Sequence, residues 1–296
     1  MRCQAQLGPG AAERITILPG EAEHFTAILE PDLPVNEAIA RAMMARGHQG
    51  GVLVLRACVF RSLRFVIPTL SADSRFAAYY SETHEAPAPV RGEQVNATFG
   101  IREDQPFAHL HGSWVGADGR RRAGHLLPLE TVLAEPARAE CWAIKGACFT
   151  TRPDTETNFP LFTPERCRET RGPITGALVK IQPNEDFCTA LEASCERLGW
   201  RAARLRGGVG SLVGAHFTQG PGFDTSPTEV FVQEGCVASQ IIDAMPRASV
   251  AVLGTDHTGQ IAEGCVLRAD NAVLMTFELL LTRVEPEALA RDMAAR

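Results

Sequence analysis

Three of the eight histidines of this 296-residue chain, His109, His111 and His125, fall within 17 residues of one another. Neutral imidazole nitrogens suit zinc and other borderline divalent ions, and a set of three leaves a fourth position open for catalysis. For that chemistry the three rings must reach one point. His109 and His111 are two residues apart, so in a strand they share a face. A three-residue turn at Ala117-Asp118-Gly119, with Gly119 left-handed, would pair Gly116 with Arg120 and set His111 opposite His125. A two-residue turn would instead pair His125 with Gly112 and send its ring to the other face. The three-residue turn brings neighbouring Cβ atoms to about 5–7 Å, and zinc or another divalent metal is then the expected cofactor. A plain polar hairpin, its histidines bonding backbone and water, has the same spacing, and spacing alone leaves both readings open.

The elements that would carry this hairpin occur twice. The order strand, helix, strand is read at 24–29, 36–47 and 50–60, and again at 176–181, 184–199 and 201–214, with Gly47 and Gly199 as helix stops. HLHGSWVGADGRRRAGHL (109–126) then lies over SVAVLGTDHTGQIAEGCV (249–266) at a constant offset of 140. Gly119 falls on Gly259 and Gly124 on Gly264, whereas the histidines fall on Ser249, Ala251 and Cys265. Further on, ACFTTRPDTE (147–156) is matched to ELLLTRVEPE (278–287) across an insertion. The expected organisation is a tandem duplication with domains 1–172 and 173–296, divided in the polar stretch TPERCRETRGP (163–173). Because the second copy keeps the turn glycines without the histidines, the hairpin does not need imidazole to fold. That weighs against a purely structural role for the triad. The second half reads as a partner supplying packing surface or a pocket wall. The long loops 71–93 and 218–229 are expected to be functional or mobile, and 285–296 to form a short amphipathic helix docked on its own domain.

Composition removes other classes. With 45% hydrophobic and 22% charged residues the chain is globular rather than disordered, collagenous or coiled coil. Residues 1–172 carry 19 basic and 20 acidic groups, and residues 173–296 carry 10 and 15, so neither half has the footprint of a strong nonspecific nucleic-acid binder. Nine scattered cysteines without a CxxC, and an N-terminal stretch without the apolar core of a signal peptide, predict a reduced, soluble cytoplasmic protein. GGVGSLVG (207–214) lacks the Gly-Lys-Ser/Thr ending of a phosphate loop and reads as a turn between strands. Ser113 and Arg152 are candidate ligand contacts. Glu130, Glu135, Glu140, Asp154 and Glu156 are candidate general bases, though none has a diagnostic spacing.

The H-L-H strand, the Asp-Gly turn and the A-G-H-L strand, followed by TTRPDTETNF, resemble the PPC (plants and prokaryotes conserved) domain. His109, His111, Gly124, His125 and Leu126 match its first motif, and Arg152, Asp154, Thr157 and Phe159 its second. Asn158 stands where the family usually has Gly, and Ala123 where it often has the first Gly. The resemblance covers 24–165 well and 176–290 weakly. It implies an α+β fold of two PPC-like domains, each a largely antiparallel sheet with one main helix. It further implies trimer-based homo-oligomers and a metal site at the three histidines. Plant relatives add an AT-hook that reads A/T-rich DNA; here only Arg171-Gly172-Pro173 remains of such a motif, without a basic flank. Two functions follow as expectations. The first is a metal-binding, presumptively zinc, protein acting on a small anionic or carbonyl substrate, hydrolase- or lyase-like if catalytic. The second is a DNA-binding or regulatory protein without chemistry. The acidic balance favours the first and predicts that duplex DNA is not retained even at low salt. A binding titration against salt checks this, and a steep salt-dependent affinity would contradict it.

Overall fold

The run Gln105–Val115 faces two environments in alternation, as a strand buried on both sides must. Ala108, Leu110 and Trp114 point into a core closed by the helix Val35–Met44. Phe107, His109 and His111 point the other way, towards residues of the second half of the chain. The computed structural model describes residues 1–239 and 245–294. The first half begins with β1 (Ile15–Gly20), β2 (Ala22–Leu29), α1 (Val35–Met44) and β3 (Gly51–Ser62). Four short strands follow: β4 (Arg64–Val66), β5 (Pro68–Leu70), β6 (Ala78–Tyr80) and β7 (His84–Glu85). Then come β8 (Val90–Arg102), β9 (Gln105–Val115), β10 (Arg121–Leu126), β11 (Val132–Leu133), β12 (Ala137–Ile144), β13 (Ala147–Pro153) and β14 (Pro160–Arg166). The second half holds β15 (Gly176–Ile181), α2 (Phe187–Leu198), β16 (Ala202–Leu212) and β17 (Thr228–Ala238). It ends with β18 (Arg247–Asp256), β19 (Ile261–Cys265), β20 (Val273–Arg283) and α3 (Pro286–Ala294).

The strand orders show the duplication directly. One sheet contains β2-β12-β3-β8-β9-β10 and the other β15-β20-β16-β17-β18-β19, the same six-strand path with a helix after its first strand. The registers agree too: His111 pairs with His125 in the first copy, and Ala251 with Cys265 at the same places in the second. Pairing is antiparallel throughout except between β13 and β8. The expected α+β class holds as a sheet-dominated fold with one helix packed on each sheet. No helix among the described residues is long and apolar enough to cross a membrane.

Several expectations are corrected. The stretch 147–156 is not the counterpart of 278–287: β20 takes the position of β12, and the β13–β14 hairpin is an addition to the first copy. The misleading cue was the shared Thr-Arg, which falls at the end of a strand in both places. Residues 15–20, assigned by sequence to 1–172, instead form β1 at the edge of the second sheet, paired with β15. GGVGSLVG is not a turn but part of β16, bulged at Gly207 and Gly208, whose φ of 63° and 131° favours glycine. A Cβ on Gly207 would lie 3.2 Å from the Val52 Cβ of the first sheet, so close approach of the two sheets also asks for glycine there. The long loop 71–93 holds β6, β7 and the start of β8. Cys148 and Cys167 are joined in a disulfide, unlike the reduced state expected of all nine cysteines. The terminal helix docks as expected, with Leu289 buried against Ala202 and Cys236.

The two sheets pack face to face, with α1 outside one and α2 outside the other. Val52, Ile144, Phe149 and Phe162 of the first half meet Leu178 and Leu280 of the second, and Ala123 meets Val209, Phe231 and Leu253. Polar residues are also built into this seam, Gln94 and Asn96 among them. Asn96, fully buried, donates to the carbonyls of Gly208 (3.2 Å) and Val232 (2.7 Å) across it. Asn96→Ala removes both bonds and is expected to cost about 1–2 kcal/mol of stability, read as an earlier denaturation midpoint. An unchanged midpoint would show that the seam does not depend on this residue.

Candidate metal centre

The hairpin geometry comes first. Gly119 has a φ of 72°, and the Gly116 N–H donates to the Arg120 carbonyl at 3.1 Å, the expected three-residue turn. From that turn the register runs to His111 opposite His125, with Leu110 opposite Leu126. His109 lies just beyond, on the same face. The ring centroids are 4.7 Å (His109–His111), 4.9 Å (His109–His125) and 5.2 Å (His111–His125) apart, and one nitrogen from each ring lies within 4.8 Å of the others.

The second half decides how the rings are held. His109 Nδ1 donates to the Glu278 carboxylate at 3.0 Å, and His111 Nδ1 donates to the Val230 carbonyl at 2.9 Å. These bonds place a proton on Nδ1 of both rings and bring the two Nε2 atoms to 3.1 Å, where a proton or a metal ion can bridge them. Glu229, also buried, brings Oε1 to 3.7 Å from His111 Nε2 and 3.8 Å from His125 Nδ1. Its Oε2 and the His125 Nδ1 have no hydrogen-bond partner. Buried polar atoms without partners are costly, and here they gather around the place where a cation would relieve them. The donor set (three neutral imidazoles, outer nitrogens held by a carboxylate and a carbonyl, and one adjacent carboxylate) fits a borderline divalent ion.

Burial also sets the protonation. His111 and His125 are pushed well below the ordinary imidazole range, chiefly by desolvation. Burial pushes the Glu229 carboxyl up to about 8.

The triad forms the floor of a pocket of about 560 Å³ between the two halves. The first half contributes aromatic walls, including Phe76, Tyr79 and Tyr80 from the long loop, and the second contributes Ser211, Glu229, Thr276 and Glu278. Tyr80 packs on His125 with centroids 5.0 Å apart. The other sequence candidates lie elsewhere. Ser113, although on the face of His111, donates to Glu93 at 2.8 Å outside the pocket lining. Arg152 is engaged by Glu165 through bonds of 2.6 and 2.7 Å. Asp154 accepts from Thr157 in its own turn and pairs with Lys180, Glu156 binds Arg14, and Glu140 binds His24. Glu135 is exposed, and Glu130 reaches the pocket but pairs with Arg64. Sequence reasoning thus missed Glu229, Glu278 and the Val230 carbonyl. Glu278 did leave a signal: it is the one charged residue within the run VLMTFELLLT, and such a carboxylate in a doubly buried strand needs a partner. Glu229 is less conspicuous, lying where a Pro-rich loop becomes a strand.

No family model matches the chain, and no curated protein matches it. Solved structures do. A metal-containing protein of Archaeoglobus fulgidus is 16% identical over 51% of this chain and 99% of its own length, with a TM-score of 0.38. A plant- and prokaryote-conserved (PPC) protein of Pyrococcus horikoshii is 15% identical over 50% of this chain and 94% of its own, with a TM-score of 0.36. A candidate DNA-binding protein of Bacteroides thetaiotaomicron is 10% identical over 51% of this chain and 98% of its own, also with a TM-score of 0.36. The chain is similar to each of them over about half its length.

The raised Glu229 gives a pH prediction. From about pH 4.5 to 8 the folded, metal-free chain holds a proton that the unfolded chain has lost, so stability falls as pH rises through that window. The slope approaches about 1.4 kcal/mol per pH unit. His111 and His125 act oppositely, lowering stability only as pH falls below their unfolded value of 6.5. Between pH 6.5 and 8 the glutamate therefore dominates, and Glu229→Gln is expected to flatten the decline in chelator-treated protein. Denaturant titrations at several pH values check this; parallel pH dependences in the two proteins would contradict it.

Proposed function

We propose that this chain is a tandem PPC-type protein that binds one divalent metal ion, zinc before others, through His109, His111 and His125. Above that ion, the pocket between the halves receives a small anionic or carbonyl compound. One observation carries the reading: a nitrogen from each of the three rings converges within 4.8 Å of the others while the second half occupies the outer nitrogens of His109 and His111. Zinc suits three imidazoles with an open position better than the hard, oxygen-seeking ions do. When bound, the ion supplies Lewis acidity, the chemistry of hydrolases and lyases that act on carbonyl or anionic groups.

The chain's own residues do the rest. Glu278 and the Val230 carbonyl fix the ring orientations and tautomers of His109 and His111. Glu229, protonated at neutral pH in the absence of a cation, can hold or release a proton at its carboxyl beside the pocket floor; positive charge at the imidazoles favours its ionised form. The aromatic walls and the apposed second sheet limit access of solvent to the floor, leaving His109 and His125 partly exposed. A DNA-binding role is the alternative that the family resemblance raises. It has less support here, because the net charge is −6 and the second half holds most of the acidity.

Untagged protein is expected to purify with close to one zinc or similar ion per chain, measured by elemental analysis. His111→Ala should abolish this, and Glu278→Gln should weaken metal affinity about 10- to 100-fold while leaving the ligands in place. Wild-type protein that stays metal-free after incubation with zinc would overturn the reading.

A further inference from the structure

The pocket above the triad has an uneven charge inventory. Its lining includes Glu130, Glu229 and Glu278 but, among the described residues, only one arginine or lysine, Arg102. Glu130 is already engaged by Arg64. Arg102 makes no ion pair with a described residue; its guanidinium lies over the Phe107 ring, 4.9 Å from the centroid. It is exposed at the mouth. An arginine left unpaired at the rim of a largely apolar pocket, and pre-oriented by a ring, can take a carboxylate through two parallel hydrogen bonds.

The strand register gives the distance. In the β8–β9 pairing Thr98 lies opposite His109 and Arg102 opposite Gln105, so Arg102 shares the histidine face four residues further along. Four residues of strand span about 13 Å, and the arginine side chain takes up part of that. Phe107, under the guanidinium, stands between Gln105 and His109 on that face. The wall along it is aromatic: Phe76 and Phe159 have centroids 4.7 Å apart, Tyr79 packs on both, and Tyr80 continues the series to His125 at 5.0 Å. Arg102 is the one arginine or lysine among the described lining residues, so the mouth can hold a single carboxylate.

We propose that the pocket binds a small aromatic monocarboxylate, its carboxylate on Arg102, its ring along the Phe76–Tyr79–Phe159 wall, and its far polar group at the histidine floor. This rests on the reading of the pocket as the ligand site above the metal centre, and it makes Arg102, rather than Arg152, the residue that selects for the anion.

The test is calorimetric titration of the full-length, zinc-loaded chain with 4-hydroxybenzoate, its neutral counterpart 4-hydroxybenzamide, and hexanoate. 4-Hydroxybenzoate is expected to bind at least tenfold more tightly than either of the others. Arg102→Ala should weaken the benzoate by ten- to a hundredfold, the range of a lost charged hydrogen-bonded pair, while leaving the weak amide binding and the metal content unchanged. Arg102→Lys should restore part of the loss. Equal binding of acid and amide, equal binding of hexanoate, an unaffected Arg102→Ala variant, or no binding of the benzoate would each overturn the proposal. The two readings fail separately. Protein that carries zinc but does not bind the benzoate keeps the metal reading and loses this one. Arg102-dependent benzoate binding by a chain that never takes up zinc does the reverse.

Discussion

His111, Glu229 and Glu278 are buried, and His109 and His125 half-buried, where two β-sheets meet, and much of the molecule's organisation answers to that contact. Taking such groups out of water is costly unless each finds a partner. The apolar seam offsets the cost by holding the sheets together through Val52, Phe149 and Phe162 on one side and Leu178, Leu280 and Phe231 on the other. With the sheets locked, Glu278 and the Val230 carbonyl come within bonding distance of His109 and His111. The three rings thereby converge at one point, with a nitrogen of each within 4.8 Å of the others.

The duplication has divided the work between its copies. The first keeps the nitrogen donors on a hairpin whose register follows from its turn. The second keeps the same six-strand path and the same hairpin register, with Ala251 and Cys265 in place of the paired histidines. It contributes Glu278 and the Val230 carbonyl, which bond His109 and His111 of the first copy. The chain also ties the halves together at its beginning: β1 extends the second sheet, and Arg14, next to it, bonds Glu156 of the first half and Glu185 of the second. A single domain of this type would lack Glu229 and Glu278, so the site described here belongs to the pair.

How much of this was legible depended on whether the deciding forces were local. The hairpin was readable because turn geometry and the two-residue strand period fix which side chains share a face. Both helices were readable from apolar spacing and terminal glycines. The counterpart of 278–287 was misplaced because short matching strings cannot distinguish a strand from a neighbouring hairpin. Arg152 and Arg102 look alike along the chain; β14 gives the first a partner in Glu165, while the β8–β9 turn leaves the second at the pocket mouth. Gly207 and Gly208 resembled a phosphate loop because glycine serves close approach in either setting, and only the facing sheet shows what is being approached.

By itself the sequence determined the periodicities, the repeat and the register that sets His111 against His125, all consequences of backbone geometry over a few residues. The tertiary structure alone decided which carboxylates face the imidazoles, which arginine stays free, and that the second copy closes the site. Those choices depend on two sheets packing face to face and joining residues more than a hundred positions apart in the chain, and no local rule of spacing encodes which side chains then meet.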